Sequence, residues 1–256
     1  MDTLAKLNPH PRDEHIEFDE PSHTYTIDGD SDYTSVTTWN HSHFKHFDAD
    51  KIIAKMMKSK NWYNSKYYGQ TPEEIKAGWE KNRDEAANAG TKMHLDIEKY
   101  YNGVEVKNDS VEYAQFLEYV KDNPFKKYRT EWTIWDKELK LAGSIDMVYE
   151  NPDGTLMIYD WKRSKGIVRN KRWEEYSITP EISHIPDTNF WHYSLQLNTY
   201  KAILEKNYGK KVTKLCLVCL YPTQKSYKLF ESISTDIKSD IVIVSRQGEV
   251  IAQATP

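Results

Sequence analysis

The sequence predicts a single α/β domain in which helices flank a mixed central sheet. Three observations predict this fold class. A chain of 256 residues is long enough to bury a core of its own. Its hydrophobic pattern runs from helices to three strands, and then to another helix followed by further strands. The turn Asn151-Pro152-Asp153-Gly154 joins two of the apolar strands as a hairpin.

Composition narrows the class of protein. Hydrophobic residues make up 38% of the chain and charged residues 29%, which is typical of a globular and rather polar protein. No apolar run is long enough to span a bilayer, and residues 1–6 lack the apolar region of a signal peptide. We therefore expect an intracellular protein with no membrane partner. Because the net charge is −4, any surface that binds nucleic acid must be a local one.

The first third of the chain, residues 16–83, is predicted to form a hairpin and an N-terminal helical cap. Residues 1–15 are polar and contain two prolines, so we expect a flexible tail. Alternation of apolar and polar residues over 16–28 predicts the β-hairpin. A helix of the cap would follow, with Asp48 or Asp50 as its capping residue.

Helices lead from the N-terminal cap into the predicted catalytic core. Thr71-Pro72-Glu73-Glu74 is a strong helix start, since it combines a capping box with proline in the first turn. This helix is predicted to run to about Ala89. Gly90 is expected either to kink it or to begin a second helix that reaches Tyr101. Residues 111–122 are predicted to form the next helix.

The core is expected to cover residues 84–221, and residues 222–256 a C-terminal strand extension, so that residues 16–256 form one domain. Residues 163–189 have no regular pattern, and a stretch of that length in a compact domain is usually functional or mobile. The strands and the last helix of this part are expected at residues 129–136, 139–149, 155–162, 190–208 (the helix), 212–221 and 227–232.

Two short motifs at neighbouring strand ends carry the strongest chemical signal: Gly143-Ser144-Ile145-Asp146 and Tyr159-Asp160-Trp161-Lys162. An antiparallel hairpin would bring Asp146 beside Asp160, with Lys162 on the same face as Asp160. Adjacent carboxylates repel each other unless a cation joins them, and Mg²⁺ or Mn²⁺ prefers such oxygen ligands. A lysine beside that ion can orient or help deprotonate an attacking water. The pattern is therefore typical of metal-dependent phosphodiester hydrolysis.

His94 and Glu98 lie one turn apart on one face of a predicted helix. Such a pair is usually a solvated surface pair. Beside the two carboxylates, however, His94 could supply a nitrogen ligand to a metal ion. Glu98 could accept a hydrogen bond from that histidine or bind the metal through water.

The last predicted core helix places Gln196 and Tyr200 one turn apart, with His192 one turn earlier. Two interpretations stay open for these side chains. They form either the polar edge of an amphipathic helix or a group that contacts a phosphate or base beside the metal site.

A basic segment begins at the candidate catalytic lysine and contains no acidic residue. It is either a solvated face or a set of contacts to the phosphate backbone. Trp173 and Tyr176 follow it, and they would either stack on single-stranded bases or anchor a lid in the core. The basic residues of this segment are Lys162, Arg163, Lys165, Arg169, Lys171 and Arg172.

The chain has two cysteines, Cys216 and Cys219, within a run typical of a buried strand. Positions three apart on a strand face opposite sides of the sheet. A zinc site normally needs four ligands, and the sequence has no second Cys/His pair at suitable spacing. We therefore expect two reduced structural thiols.

In content and in order, these motifs resemble the RecB-like branch of the PD-(D/E)XK nuclease superfamily. The match spans about residues 35–221, and Ser35-Val36-Thr37 is also similar to the N-terminal region of the mitochondrial genome maintenance and CRISPR-associated members. The four motifs are Gly90-Thr91 with His94 and Glu98, then Gly143-Ser144-Ile145-Asp146, then Asp160-Trp161-Lys162, and finally Gln196 with Tyr200.

The resemblance implies a restriction-endonuclease-like fold and a metal site. His94, Asp146, Asp160 and the backbone carbonyl of Trp161 would bind Mg²⁺ or Mn²⁺. Members of the branch that hold an iron–sulfur cluster use four cysteines. Since this chain has two, no cluster is expected.

The resemblance also implies roles for the other motif residues. Lys162 would position the attacking water, and Glu98 would support the catalytic site. Gln196 and Tyr200 would hold the substrate near the scissile phosphate, with the basic segment as a further substrate-binding element.

The function predicted from the sequence is metal-dependent DNA cleavage, by an exonuclease that acts on ends or single strands in replication, repair or recombination. The alternatives are a structure-selective endonuclease of the same fold and a catalytically silent nucleic-acid-binding module. The presence of both carboxylates and the lysine favours an enzyme. The chain has no G-x-x-x-x-G-K-[ST] motif, so a helicase or another replication or recombination partner would supply any unwinding.

Overall fold

The computed structural model describes residues 3–171, 175–231, 242–244 and 250–253. No helix within these ranges is both long enough and apolar enough to cross a membrane. Short 3-10 turns supplement the α-helices. The α-helices are α1 (Leu4–Leu7), α2 (Val36–Ser42), α3 (Ala49–Met57), α4 (Pro72–Tyr101), α5 (Val111–Asp122) and α6 (Asn189–Asn207).

The strands of the described residues form one six-stranded sheet and two small hairpins. One hairpin is the N-terminal one that the alternating pattern predicts. The strands are β1 (Ile16–Asp19), β2 (Thr24–Ile27), β3 (Thr34–Ser35), β4 (Lys126–Asp136), β5 (Leu141–Glu150), β6 (Leu156–Arg163), β7 (Val212–Leu220), β8 (Lys228–Glu231), β9 (Val242–Val244) and β10 (Val250–Gln253).

The large sheet is mixed. Neighbouring strands follow the order β4, β5, β6, β7 and β8, and β3 pairs with β5 beyond the end of the β5–β6 ladder. The β4–β5, β5–β6 and β7–β8 pairs are antiparallel, whereas β6–β7 and β3–β5 are parallel. This arrangement confirms the predicted α/β class with a mixed sheet flanked by helices. Of the predicted C-terminal extension, β8, β9 and β10 are described, while residues 232–241, 245–249 and 254–256 lie outside the described ranges.

Two apolar layers hold the helices against the sheet. On one face, α4 and α5 pack against Met157, Tyr159 and Trp161 of β6. On the other face, α6 and the hairpin β1–β2 pack against Leu156 and Ile158. Alternate residues of a strand point to opposite faces, so each face of β6 serves one layer.

Helix α4 is continuous, although Gly90 was expected to kink or divide it. Its start is as predicted, because Thr71 accepts from the Glu74 N–H and the Glu74 carboxylate accepts from the Thr71 N–H. Glycine in a helix interior costs about 1 kcal/mol relative to alanine. Burial of Ile97 and Tyr101 in the second half of the helix exceeds that cost, since each buried apolar side chain contributes roughly 1.5–3 kcal/mol.

The expectation of a flexible tail over residues 1–15 is wrong. From residue 3 onward this stretch is bound to the body of the protein. Leu4 is buried, and Asp13 pairs with the buried Arg129 over 2.7 Å. Arg12 donates to the Trp135 carbonyl over 2.9 Å. The partners lie more than 110 residues away in the chain, so local composition could not reveal them.

Candidate active site

The candidate site lies where β5 and β6 separate. Their ladder ends at the pair Met147–Tyr159. Strand β6 is paired with β7 along its whole length, whereas β5 has no partner on this edge among the described residues until β3 pairs with Leu141 and Ala142. Asp146 and Asp160 are the next residues in this register, so they oppose each other at the opening. The backbone N–H of Trp161 donates to Asp146 Oδ2 over 2.8 Å and fixes that carboxylate in place. The structure therefore brings together the two carboxylates that the hairpin pattern pairs.

His94 reaches this opening from helix α4. Its Nε2 lies 2.9 Å from the carbonyl oxygen of Trp161. A carbonyl can only accept, so Nε2 carries the proton and Nδ1 is left to face the carboxylates. Nδ1 lies 3.5 Å from Asp146 Oδ2 and 3.9 Å from Glu131 Oε1. A neutral His94 thus offers Nδ1 as its ligand atom, and the Trp161 carbonyl holds the ring in that orientation.

Glu131, on β4, completes a cluster that the sequence analysis does not include. His94, Glu131 and Asp146 each place one ligand atom within 4.8 Å of the others. The hydroxyl of Ser144 donates to Glu131 Oε2 over 2.7 Å, which leaves Oε1 directed toward His94. One nitrogen and two carboxylate oxygens form a donor set that suits Mn²⁺ and also Mg²⁺.

The backbone at Glu131 is unusual, because its φ of +44° lies in the left-handed region. For a residue with a side chain this conformation costs roughly 1–2 kcal/mol. Glu131 opposes Asp146 in the β4–β5 register, next to the pair Thr130–Met147. The one sequence signal for it was an acidic residue set between Thr130 and Trp132 in the middle of the strand.

Burial and mutual repulsion dominate the electrostatics of the carboxylates. Burial, and then the charge of Asp160, raises the pKa of Asp146 to about 7. Burial alone would lower the pKa of His94, but the charges of Asp146 and Glu131 outweigh it and raise that pKa to about 9. The site therefore retains a proton near neutral pH, which is the behaviour of clustered carboxylates whose negative charge is only partly balanced.

Lys162 supplies one positive charge. Its Nζ lies 2.8 Å from Asp160 Oδ2, an atom that is buried and has no well-oriented hydrogen bond. Burial lowers the pKa of Lys162, but Asp160 and Asp146 raise it further, so the net direction is upward. Lys162 is therefore a cation at neutral pH, and it acts as a hydrogen-bond donor rather than as a base.

A polar chain connects Lys162 to helix α6. Lys162 Nζ donates to Gln196 Oε1 over 3.4 Å, and Gln196 Nε2 donates to the Tyr200 hydroxyl over 3.1 Å. Gln196 Nε2 also lies 3.4 Å from the Thr37 hydroxyl of α2. The amide of Gln196 therefore lies beside Lys162, where it can orient the lysine; contact with a phosphate or base stays a prediction.

Position 143 has no room for a side chain, because Tyr200 lies directly against it. A Cβ atom at position 143 would lie 2.8 Å from Tyr200 Cε1 and 3.1 Å from its hydroxyl oxygen. Tyr200 is buried, so its ring has little room to move. The glycine of the second motif is therefore needed for close packing between β5 and α6.

Glu98 lies one turn beyond His94 on α4, as predicted, but outside the three-residue ligand cluster. Burial, and then the charge of Glu131, raises the pKa of Glu98. It is therefore a neighbour of the cluster rather than a member of it, and its supporting role stays a prediction.

The structure directs much of the basic segment to protein partners. Arg163 Nε donates to Glu112 Oε1 over 2.7 Å, and Lys171 Nζ donates to the Asp187 carbonyl over 2.7 Å. The guanidinium of Arg169 lies over the rings of Phe190 and Trp191. Lys165 is exposed, as is Tyr176, whereas Arg172 and Trp173 lie outside the described residues.

We call the described residues 164–171 and 175–188, which lead from β6 to α6, the strap. The strap is fastened to the end of α2, because Ile178 N–H and the Ser177 hydroxyl both donate to the His43 carbonyl over 2.8 Å. At its far end Asp187 lies 2.8 Å from His192 Nε2. The described parts of the strap are thus held to α2 and to α6.

Cys216 and Cys219 lie on β7, where both are buried and unbridged. Cys219 donates a weak hydrogen bond to the Ser164 carbonyl over 3.0 Å. Their environment is that of small core side chains, as the sequence predicts.

Comparison with protein-family models and with curated proteins gives no match to this chain. The assignment of the site therefore depends on the geometry and the motif order.

Proposed function

We propose that this protein is a divalent-metal-dependent DNA nuclease related to the RecB-like branch of the PD-(D/E)XK superfamily, and that it acts as an exonuclease on ends or single strands. The observation that carries the proposal is the convergence of Asp146, Asp160 and Lys162 at a gap in the sheet, beside the His94–Glu131 pair. An intracellular location and a DNA partner follow from the same proposal.

The residues present fit a divalent cation. His94 Nδ1, a Glu131 oxygen and an Asp146 oxygen are within reach of one another, and Asp160 Oδ2 is buried without a well-oriented donor. These four side chains would hold the ion. When bound, the cation would stabilise the negative charge that develops on the phosphate and would activate the attacking water.

The remaining chemistry belongs to the chain's own side chains. Lys162, held by Asp160 and Gln196, has one N–H left and donates it to the attacking water. The Gln196–Tyr200 contact keeps that lysine in one orientation as the substrate enters. The Trp161 carbonyl holds the tautomer of His94 that faces the carboxylates.

The strap supports the exonuclease over the endonuclease. It leaves β6 directly after Lys162 and Arg163 and is hydrogen-bonded to α2 before it joins α6. We propose that the substrate strand passes beneath this connection, and such a strand would reach Lys162 most readily from a free end.

The test is metal-dependent cleavage of end-labelled linear and closed circular single-stranded DNA, with matched duplex and RNA samples. We expect shortening of the linear single strand with Mn²⁺ or Mg²⁺, survival of the circle, and no reaction with chelator. Absence of metal-dependent cleavage in all samples would refute the nuclease. Equal cleavage of circles and linear strands would favour the endonuclease.

A further inference from the structure

A second basic surface lies on the cap, outside the four sequence motifs. Residues 45–68 contain six lysines and two aspartates, although the whole chain carries a net charge of −4. Asp48 pairs with Lys51 over 2.9 Å, and Asp50 pairs with Lys76 over 3.0 Å. The two acidic residues of this stretch are therefore occupied by neighbouring lysines.

Lys55 and Lys58 lie on the exposed side of α3 and just after it. Among the described residues no carboxylate lies within ion-pair distance of either Nζ, since neither lysine has a salt bridge there. Together with Lys51 they border one groove on the helix surface. This part of the cap therefore presents uncompensated positive charge to the solvent.

Aromatic rings are exposed beside these lysines. The exposed fractions of Phe47, Tyr63 and Tyr68 are 72%, 65% and 61%. The only other aromatic residue with comparable exposure in the described part of the chain is Tyr176, at 44%. The Phe47 ring centroid lies 5.9 Å from that of Trp79, and the Tyr68 ring centroid lies 6.1 Å from that of Trp62. Exposed rings are suited to stacking with a flat partner.

The cap is joined to the candidate active site by one helix. A groove of about 840 Å³ lies between Phe47 and the α4 residues Trp79 and Arg83. The next residues of α4, 80–88, are exposed on every side. From Trp79 to His94 the helix rises ~22 Å, which corresponds to roughly six or seven stacked nucleotides of one strand.

We propose that Phe47, Lys55, Lys58, Tyr63 and Tyr68, here called the basic cap face, bind single-stranded nucleic acid several nucleotides away from the scissile phosphate. Lysines take the phosphates and the rings stack on unpaired bases, without regard to sequence. The inference rests on the proposed function, because it extends the substrate of the same site. It makes affinity depend on strand length, since a strand shorter than about six nucleotides cannot reach both surfaces.

The experiment measures binding without cleavage, by fluorescence anisotropy of a labelled 30-nucleotide single strand and a labelled tetranucleotide in chelator, over a range of salt concentrations. The variants are Lys55→Ala/Lys58→Ala and Tyr63→Ala/Tyr68→Ala. A matched control, Lys121→Ala/Lys211→Ala, removes two exposed lysines near the opposite end of the sheet. Tyr63→Phe/Tyr68→Phe retains the rings.

We expect the lysine variant to bind the long strand less tightly and to reduce the salt slope by roughly 1.4, for two lost phosphate contacts. The tyrosine-to-alanine variant should bind the long strand about tenfold less tightly for each ring removed. The phenylalanine variant and the control should bind it as tightly as the wild type. Unchanged long-strand affinity in both alanine variants would overturn the cap inference. It would leave the nuclease proposal intact, because that proposal is tested by metal-dependent cleavage.

A measurement on the wild-type protein removes any dependence on how the variants fold. Bromodeoxyuridine placed at least seven nucleotides from the end should crosslink to peptides that contain Phe47, Tyr63 or Tyr68. Crosslinks confined to the strap, or binding to anionic vesicles with no crosslinks to the cap, would refute the inference.

Discussion

Glu131 and Glu98 are both acidic side chains near His94, yet only Glu131 belongs to its ligand cluster. The distinction gives a matched pair of substitutions. Glu131→Gln should weaken Mn²⁺ binding roughly tenfold or more, because it removes a charged oxygen ligand, while Glu98→Gln should have a smaller effect. Titration calorimetry with Mn²⁺ measures both. Equal affinities for the Glu131→Gln variant and the wild type would exclude Glu131 as a ligand.

The raised pKa values of His94 and Asp146 predict how the metal-free protein responds to pH. His94, raised from 6.5 to about 9, contributes stability that is complete below pH 6.5 and is lost as the pH rises through 9. The pKa of Asp146 is raised from 3.8 to about 7, so its ionisation lowers the free energy of unfolding progressively as the pH rises between those values. The Asp146 effect lowers the stability of the chelated protein up to about pH 7, and the His94 effect continues the decline from about pH 6.5 to pH 9.

Thermal unfolding in chelator should therefore give a Tm that falls over this range. His94→Gln should flatten the upper part of the profile. Added Mn²⁺ should stabilise most at high pH, since binding requires His94 neutral and Asp146 charged. A Tm that rises with pH in chelator, and that His94→Gln does not alter, would contradict the assigned charge states.

The contact between Gly143 and Tyr200 predicts a defect from the smallest possible change. Gly143→Ala places a methyl group against a buried ring, so Tyr200 and the attached Gln196 must shift. Overpacking of this kind costs about 1–3 kcal/mol of stability. Chemical unfolding and single-turnover cleavage should both show a loss. A fully active Gly143→Ala protein of wild-type stability would mean that the close approach is not required.

At the scale of elements, helix α4 contains a glycine, Gly90, that can accept a side chain without a clash. A Cβ at Gly90 meets nothing within 4 Å, and the residue has ordinary helical geometry. Gly90→Ala should therefore stabilise the protein by about 0.5–1 kcal/mol through helix propensity and reduced freedom of the unfolded chain. Denaturant unfolding measures the change, with Gly143→Ala as the contrasting variant. A loss of stability would contradict a continuous α4 with ordinary helical geometry at Gly90.

The elements were predictable where local chemistry determines them. The Thr71 capping box and the turn at Asn151 specify the start of α4 and the β5–β6 hairpin, and both are as expected. Continuity through Gly90 was not predictable, because it depends on burial of Ile97 and Tyr101 against the sheet. Local propensity is a weak guide when tertiary packing opposes it.

The site was predictable in the same unequal way. Asp146, Asp160 and Lys162 lie within one hairpin, so a short-range register argument reaches them. Glu131 depends on the register of β4 after its irregularity near residue 128 and on a left-handed backbone. Arg163 was expected to contact substrate, but its partner Glu112 lies 51 residues away in sequence, and pairs of that separation leave no periodic signal.

At the scale of the whole molecule, two surfaces serve one proposed substrate. The candidate site lies where two strands separate, and the basic cap face lies at the other end of the α4 segment that reaches His94. The modest overall charge of −4 is compatible with this arrangement because positive charge is concentrated locally. We therefore expect a weak general affinity for duplex DNA and a length-dependent affinity for single strands.

The most direct test of the central claim is Mn²⁺-supported cleavage of end-labelled linear single-stranded DNA by Asp160→Asn beside Asp109→Asn, a matched substitution of an exposed aspartate. With folding verified by circular dichroism, Asp160→Asn should reduce the single-turnover rate on the order of a thousandfold, because it removes a buried charge beside Lys162. Asp109→Asn should cleave at the wild-type rate. Cleavage by Asp160→Asn at that same rate would contradict the proposed active site.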